Sequence, residues 1–341
     1  MLKILTSEFE WREAINGMNH DWYHTWDYHH IALLNGEGIP MLLVFGEKNS
    51  RICLPILLRK INDEWNDATS VYGYPGVVSN IKGDEKELYR LFFQDVMHWA
   101  NENKVVSIFS RLNSCIDGSY EELNHLAESQ GETVVIDLSL PIDEQRKRYR
   151  KNYRNLVNKL ERDGVTCSWE NNAKELSEFI GIYNQTMDSL GAADHYYFSR
   201  SYYDLLINSE DFEVRIYSCF HEGRKICSGL FVFCGDIVQY HLSGTVSEYK
   251  NSAPTRLMID TVRKDATSLG YQVFHLGGGT GNGRDSLFDF KYGFSKEVVD
   301  FRVLKLITNE EKYVQLSGID INDIDQPIEG FFPLYRKLNT N

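Results

Sequence analysis

The sequence predicts an α/β fold of the α+β type, with mixed, mainly antiparallel sheets flanked by helices. Two features lead to this class. Apolar strand patterns enclose a polar turn in each half of the chain, at Met41–Gly46 with Arg51–Arg59 and at Phe212–Phe220 with Lys225–Phe233. An amphipathic helix pattern follows each predicted hairpin, at Glu85–Asn101 and Pro254–Leu269. The recurrence favours two copies of one domain built from a hairpin and a helix.

The remaining elements fit the same scheme in chain order. A helix is predicted over Glu8–Asn16, and strands over Val105–Phe109 and Thr133–Leu138 close the first half. In the second half a strand over Ile237–Ser243 follows the hairpin, and Gly270 ends the next helix. A short buried strand then leads into a glycine-rich loop.

Composition and charge narrow the class of protein. The chain has 341 residues, 42% of them hydrophobic and 25% charged, which suits a folded protein of two domains. Its net charge of −13 disfavours DNA and broad nonspecific nucleic-acid binding. Met1–Phe9 lacks the apolar core of a signal peptide, and no apolar run reaches the roughly 18 residues of a membrane span. We expect a cytoplasmic protein without a transmembrane segment.

The cysteines and histidines indicate neither disulfides nor a metal. The six cysteines form no C-x-x-C pair, and several lie in apolar strand patterns, so we interpret all as reduced and structural. The histidines show no metal-ligand spacing such as H-E-x-x-H. No metal site is therefore predicted.

The stretch Tyr271–Phe294 (YQVFHLGGGTGNGRDSLFDFKYGF) is the most informative part of the chain. Five glycines in seven residues follow a strand, and an aromatic helical turn carrying Lys291 comes next. The spacing matches neither the dinucleotide fingerprint nor the phosphate loop of NTPases, because Arg284 and Asp285 stand where those motifs need other residues. We interpret the loop as a binding site in which Lys291 contacts an anion, with a plain surface loop as the alternative.

A basic segment, Arg146–Arg162, lies between the two halves. It has eight basic residues and one acid, Glu161, and an apolar stripe at helical spacing. In a helix Arg146, Arg150 and Arg154 would share one face. Arg150 and Arg154 are therefore candidates for binding a phosphate-bearing ligand, and a solvated helix face is the alternative.

Several segments together resemble the FemAB/FemX-like acyltransferases of the GNAT superfamily. They occur in the family's order between about residues 20 and 294: Asp67–Gly76 (DATSVYGYPG), Ile182–Met187 (IYNQTM), His195–Phe198 (HYYF), His241–Gly244 (HLSG) and His275–Phe294. Two departures stand out. Ser189 occupies a position where many relatives have arginine, and Lys250–Thr255 lacks the glycines of a CoA-binding loop.

The resemblance implies two GNAT-like domains around a central cleft, residues 1–138 and 139–303, with residues 304–341 packing back on the first. FemX-type members transfer an amino acid from aminoacyl-tRNA to an amino group of a peptidoglycan precursor, whereas other members use acyl-CoA with sugars or polysaccharides. No tightly bound cofactor is implied; the donor is aminoacyl-tRNA or acyl-CoA. The implied partners are a phosphate-bearing envelope or nucleotide-sugar precursor and charged tRNA, with peripheral membrane contact allowed.

The candidate residues suit direct acyl transfer to an amine in a ternary complex, because the sequence shows no G-x-S-x-G motif and no evident catalytic cysteine. Lys291 is the catalytic candidate for contacting an oxyanion or a phosphate, and in the family the pair Phe290-Lys291 contacts the ligand. Tyr72, Tyr74, Tyr240 and Arg59 are further candidates for substrate binding.

Each of these candidates has a structural alternative. These are turn packing for Tyr72 and Tyr74, core packing for Tyr240, and an ion pair with Asp67 for Arg59. His241 and His275 are expected to be hydrogen-bonded core residues, and Asp285 a helix cap rather than a general base.

The sequence therefore predicts an N-acyltransferase of the FemAB/FemX type acting on an amine of a cell-envelope or polysaccharide precursor. Two alternatives stay open at this point. One is a CoA-dependent GNAT N-acetyltransferase acting on an amino sugar, and the other is a noncatalytic module that binds a phosphorylated glycan precursor.

Overall fold

The structure is a computed structural model that describes residues 1–81, 86–116, 123, 126–280, 283–321 and 330–337. The chain forms two compact units, Met1–Gln130 with Phe301–Asn341, and Gly131–Asp300. The predicted helix start at Glu85 and the loop glycine Gly281 lie outside the described residues.

The first part of the first unit alternates helices with short and long strands. Its elements are β1 (Lys3–Leu5), α1 (Glu8–Ile15), α2 (Trp26–Leu34), β2 (Ile39–Glu47), β3 (Ser50–Lys60), β4 (Asn66–Thr69), β5 (Val78–Ser79), α3 (Lys86–Glu102) and β6 (Val105–Arg111). The predicted hairpin and the helix that follows it are both confirmed. Ile52, Leu54 and Ile56 alternate along β3 and pack with Phe92 and Val96 of α3 in one fully buried core.

The second unit begins within a long strand and contains both the basic segment and the glycine-rich loop. Its elements are β7 (Ala127–Asp137), α4 (Ile142–Lys147), α5 (Lys151–Arg162), β8 (Thr166–Trp169), α6 (Ala173–Leu190), α7 (Arg200–Ile207), β9 (Glu213–His221), β10 (Arg224–Cys234), β11 (Ile237–Thr245), α8 (Thr255–Ser268), β12 (Val273–Gly277) and α9 (Ser286–Lys291). The chain ends with β13 (Val298–Ile307), α10 (Glu310–Ser317) and α11 (Leu334–Lys337).

The two units have the same order of strand pairings. In the first unit the strands lie in the order β1-β2-β3-β4-β6-β13, with β5 beside β3. In the second the order is β8-β9-β10-β11-β12-β7. The pairs β4–β6 and β11–β12 are parallel and the other described pairs are antiparallel. A helix joins the two parallel strands each time, α3 in the first unit and α8 in the second, as parallel strands require.

Two details differ from the sequence prediction. The strand expected at Thr133–Leu138 pairs with β12, so its partner lies in the second half of the chain. The basic segment is not one helix, because it breaks between α4 and α5 at Arg148–Arg150. The cause of the break is tertiary: the backbone N–H of Arg150 turns away to donate to the carbonyl oxygen of Gly293 at 2.8 Å. None of the described helices is long and apolar enough to cross a membrane.

Candidate functional site

The second unit contains a point where two neighbouring strands separate. The strands β11 and β12 pair only from Ile237 with Val273 to Gln239 with His275. Beyond this point β11 stays paired with β10 as far as Thr245, and β12 pairs with β7 as far as Gly277. A gap therefore opens between β11 and β12, and it is bordered by the glycine-rich loop that follows β12.

His275 stabilises the strands where the gap begins. Its Nδ1 lies 2.7 Å from Oε1 of Gln239 and its Nε2 2.9 Å from Oγ1 of Thr133. Burial lowers the pKa of His275 to about 3, so the ring is neutral. His241 similarly lies 2.9 Å from the hydroxyl of Tyr202, and burial lowers its pKa to about 3 as well. Both are hydrogen-bonded interior histidines, as predicted.

Lys291 places its ammonium group at the edge of this gap. It ends α9, is 9% exposed, and its Nζ donates to the carbonyl oxygen of Gly278 at 2.6 Å. Gly277 has φ +81°, and a Cβ there would lie 3.2 Å from Nζ. Burial lowers the pKa of Lys291 to about 8, with Asp285 acting in the opposite direction. At neutral pH the group is mostly protonated, and two of its three N–H donors are not used by Gly278.

Asp285 holds the glycine-rich loop against the start of α9. Its carboxylate accepts the backbone N–H of Phe288 at 2.8 Å and that of Thr280 at 2.7 Å. Hydrogen bonds from Thr280 and Phe288 lower the pKa of Asp285 to about 2. A Cβ at Gly279 would lie 2.3 Å from Oδ1 of Asp285, so only glycine fits there. Asp285 is therefore an ionised helix cap that shapes the loop, and it is a poor general base.

Tyr240 lies near Lys291 on β11. The Nζ of Lys291 is 6.0 Å from the centroid of the Tyr240 ring, which stacks on Phe231 at 5.4 Å between centroids. The Tyr240 hydroxyl is hydrogen-bonded to Ser243, and burial raises the pKa of this phenol to about 12. The hydroxyl is thus protonated at neutral pH. One face of Tyr240 packs against the core and its half-buried position leaves it beside the gap, so its contact with substrate stays a prediction.

Phe290 faces a different aromatic cluster. Its ring centroid lies 5.5 Å from that of Phe294, and Tyr153 donates to its carbonyl oxygen at 3.2 Å. The guanidinium of Arg256 lies 4.2 Å from the Tyr153 ring centroid and 5.4 Å from that of Phe290. The sequence analysis missed Arg256. Its signal was a basic residue in the first turn of α8, where the helix dipole disfavours a positive charge.

Arg150 contacts α9 on the side away from Lys291, and Arg154 is hydrogen-bonded to the end of α4. Arg150 pairs with Asp289 through its Nη1, at 2.7 Å from Oδ2, and Arg154 donates to the carbonyl oxygen of Lys147 at 2.8 Å. Asp289 and Lys291 are two positions apart, so they point in nearly opposite directions from the helix. Lys291 therefore extends from one face of α9, whereas Arg150 pairs with the opposite face.

The candidates in the first unit form a separate group. Arg59 donates to Asp67 at 2.9 Å, and Arg336 donates to the same carboxylate at 2.8 Å, which supports a structural role for Arg59. Tyr74 packs edge-on against Tyr23 and Phe301, with centroids 5.8 and 5.4 Å away. Tyr72, in contrast, is 60% exposed.

Comparison with known proteins places this architecture in a class. Residues 147–292 match the family described as acetyltransferase (GNAT) domain. No curated protein matches the sequence. Among solved structures, FemX superimposes with a TM-score of 0.71 at 13% identity, covering 92% of this chain and 99% of that one.

Two further solved structures have a similar fold. L-PGS from Bacillus licheniformis gives a TM-score of 0.57 at 14% identity, covering 89% of this chain and 93% of that one. A conserved protein of unknown function from Bacteroides thetaiotaomicron gives 0.57 at 11% identity, covering 90% and 100%. Residues 147–292 thus carry an acyltransferase domain of the GNAT type. Its fold over nearly its whole length is that of FemX, which confirms the FemAB/FemX resemblance at the level of the fold.

Proposed function

We propose that this protein transfers an aminoacyl or acyl group to an amine of a cell-envelope or polysaccharide precursor, in the manner of the FemAB/FemX acyltransferases. The amine nitrogen attacks the donor carbonyl carbon directly in a ternary complex, and the carbonyl oxygen becomes an oxyanion. When this intermediate collapses, the donor's ester oxygen or thiol sulfur leaves, and the new amide nitrogen loses its proton. The cytoplasmic location and the phosphate-bearing partner are part of the same proposal.

The position of Lys291 carries the proposal. Its ammonium group is buried at the edge of the gap between β11 and β12, and it is fixed by the bond to Gly278. A fixed cation in a largely dry site stabilises a developing negative charge far more than the same cation in water. Lys291 therefore suits the oxyanion of acyl transfer, and the neutral hydroxyl of Tyr240 lies on the same side of the site.

The cysteines support direct attack rather than a covalent enzyme intermediate. All six are free thiols. Burial raises the pKa of Cys53 to about 12 and also raises that of Cys115. Hydrogen bonds with Cys167 and Cys227, together with burial, raise the pKa of Cys219. Thiols with raised pKa values are weak nucleophiles at neutral pH, because the thiolate is the reactive form.

The start of α8 bears on which donor the protein uses. The backbone N–H groups of Arg256, Leu257 and Met258 donate to the carbonyl oxygens of Ala253 and Pro254. These amides are thus already used in the first turn, and Pro254 has none, so this helix start is less suited to a pyrophosphate than one with free amides. This arrangement favours aminoacyl-tRNA as donor, whereas the match to an acetyltransferase domain favours acetyl-CoA.

Donor binding to the purified protein separates these possibilities. Acetyl-CoA and charged tRNA are titrated separately at near-physiological salt into the wild type, Lys291→Ala and the control Lys174→Ala, whose side chain is 80% exposed on α6. Saturable binding of one donor, followed by acyl transfer that Lys291→Ala alone abolishes, supports the proposal and identifies the donor. Donor or glycan binding without turnover by the wild type would instead favour a noncatalytic module.

A further inference from the structure

Arg111 ends β6 in the first unit, and its positive charge lies beside aromatic rings. Its guanidinium carbon lies 5.1 Å from the ring centroid of Phe109 and 6.0 Å from that of Tyr72. Within the part of the chain that the structure describes, its side chain makes no hydrogen bond or ion pair. Two other arginines of this unit, Arg59 and Arg336, share the carboxylate of Asp67. Among the described arginines of the first unit, Arg111 alone has neither a hydrogen bond nor an ion pair from its side chain.

The electrostatics of Arg111 are those of a partly desolvated cation. Burial lowers its pKa, and the neighbours that act in the opposite direction are Tyr72, Tyr74 and Tyr28. Arginine nevertheless stays protonated at neutral pH. Removing part of its water without supplying an anion destabilises the folded protein, and such a cost is retained where a ligand later provides the anion.

The tyrosine turn beside Arg111 is held in place by close contacts. Gly73 has φ +111°, and a Cβ there would lie 2.0 Å from Cε1 of Tyr23. Gly76 has φ +54°, and a Cβ there would lie 2.9 Å from Cα of Leu112, the residue after Arg111. The hydroxyl of Tyr28 also donates to the carbonyl oxygen of Tyr72 at 3.0 Å. These contacts fix the turn on the end of β6.

The Arg111 side chain is half-buried rather than enclosed, and its neighbour Tyr72 is exposed. The Tyr72 side chain is 60% exposed although it carries an aromatic ring, so it forms an open wall beside the half-buried Arg111. The planar guanidinium offers a fork of N–H donors that matches the two oxygens of a carboxylate or a phosphate. An aromatic ring next to the fork restricts its orientation and excludes part of the water around it.

We propose that Arg111 and Tyr72 form an oxyanion-binding site of the first unit, which takes a phosphate or carboxylate group of the acceptor substrate. The assignment to the acceptor rests on the proposed function, whereas the binding of an oxyanion at Arg111 does not. Arg111 acts here as a specificity-determining residue that selects acceptors carrying a negative group at a fixed place.

The site is tested by direct binding, which needs no turnover. Inorganic pyrophosphate and N-acetylalanine, a simple carboxylate, are titrated at constant ionic strength into the wild type, Arg111→Met, Arg111→Lys and the control Arg90→Met. Arg90 is an exposed arginine of α3, so this control removes the same charge elsewhere in the unit. We expect one probe to saturate, with at least tenfold weaker binding in Arg111→Met, an intermediate value in Arg111→Lys and no change in Arg90→Met. The probe that binds identifies the group as phosphate or carboxylate.

Two results would overturn the site: binding of neither probe by the wild type, or binding that Arg111→Met and Arg111→Lys leave unchanged. Thermal unfolding gives a second readout, because an unpaired cation predicts that Arg111→Met unfolds at the same or a higher temperature without ligand. A clearly lower temperature for both Arg111 variants would indicate a structural role instead. If oxyanion binding depends on Arg111 but no acyl transfer occurs, the proposed function fails and the site stands. If acyl transfer occurs but neither oxyanion binding nor transfer depends on Arg111, the proposed function stands and the Arg111 site fails.

Discussion

The ammonium group of Lys291 and the carbonyl oxygen of Gly278 are 2.6 Å apart, and this hydrogen bond ties the end of α9 to the glycine-rich loop. The loop can approach so closely because Gly277 adopts a left-handed conformation with no side chain in the way. Lys291 is consequently both a part of the loop's structure and a cation directed at the gap between β11 and β12. Its two roles can be separated by substitution.

Replacing Lys291 should affect chemistry more than folding. We expect Lys291→Gln to lower kcat/KM by roughly a hundredfold, the usual loss when one donor to an oxyanion is removed. The glutamine side chain is one bond shorter and loses the hydrogen bond to Gly278, so urea unfolding should show a loss of only about 1 kcal/mol. Lys174→Ala is the matched control and should keep full activity. A Lys291→Gln enzyme with normal kcat/KM would exclude Lys291 from the reaction.

The pH dependence of the reaction should report the same group. Burial lowers the pKa of Lys291 to about 8, so its ammonium form is lost as the pH rises through 8. We expect the ratio of wild-type to Lys291→Gln kcat/KM to fall above that pH. Using the ratio removes the titration of the acceptor amine, which is common to both enzymes. A ratio that stays constant from pH 6 to 10 would contradict a charged Lys291 as the active form.

The tyrosine turn of the first unit should not tolerate a methyl group at Gly73. Gly73→Ala combines a left-handed φ of +111° with a clash against Tyr23, and we expect a loss of about 2 kcal/mol or more in the free energy of unfolding. Gly270 also has a positive φ, +90°, but a Cβ there meets nothing within 4 Å. Gly270→Ala should therefore cost only about 1 kcal/mol. Urea unfolding of both variants measures the difference. Equal losses in the free energy of unfolding would show that the Tyr23 ring moves away from the added methyl group.

Asp285 should stabilise the start of α9 in a pH-dependent way. Asp285→Ala removes the cap and should cost about 1 kcal/mol, whereas Asp285→Asn keeps a capping oxygen and should cost less. Because hydrogen bonds lower the pKa of Asp285 to about 2, its contribution is complete above its ordinary value near 4 and is lost as the pH falls toward 2. Unfolding curves of the wild type and Asp285→Ala at pH 7 and pH 3 test this, since the difference in free energy of unfolding between the two should be smaller at pH 3 than at pH 7.

The Arg150 ion pair offers a test of the basic segment. Its partner Asp289 is exposed, so Arg150→Met should leave the stability nearly unchanged. If this surface contacts tRNA phosphates, the same variant should weaken tRNA binding and reduce its dependence on salt by about one counterion. Measuring binding at several salt concentrations, with Lys174→Ala as control, decides the matter. An unchanged salt slope would leave the segment as a solvated surface.

Local sequence patterns predicted much of the fold because they arise from local physics. The two hairpins and the helices α3 and α8 are visible as alternating and helical apolar patterns, and each occurs where it was expected. The break between α4 and α5 was not predictable, because the bond from Arg150 to Gly293 joins residues far apart in the sequence. The same reason explains the pairing of Thr133–Leu138 with β12.

Lys291 and Tyr240 were candidates from the sequence because one follows a glycine-rich loop and the other lies on a predicted strand. The structure places the Lys291 ammonium group 6.0 Å from the Tyr240 ring, and the roles of both residues stay predictions. Arg256 and Arg111 were missed, since an ordinary arginine becomes noteworthy only when its neighbours are known to be aromatic rings. The sequence shows which charged residues are present, and the structure shows which groups surround them.

The strand order of the first unit also bears on how the protein is made. Its strand β6 is complete at Arg111, but the residues of β13 that pair with it, Val303–Ile307, follow the whole of the second unit. During synthesis on a ribosome, one edge of β6 therefore stays unpaired while nearly two hundred more residues are made. At typical rates of translation this takes roughly ten to forty seconds. An unpaired strand edge of this kind can pair with other chains, so the nascent protein should depend on chaperones until β13 has been synthesised.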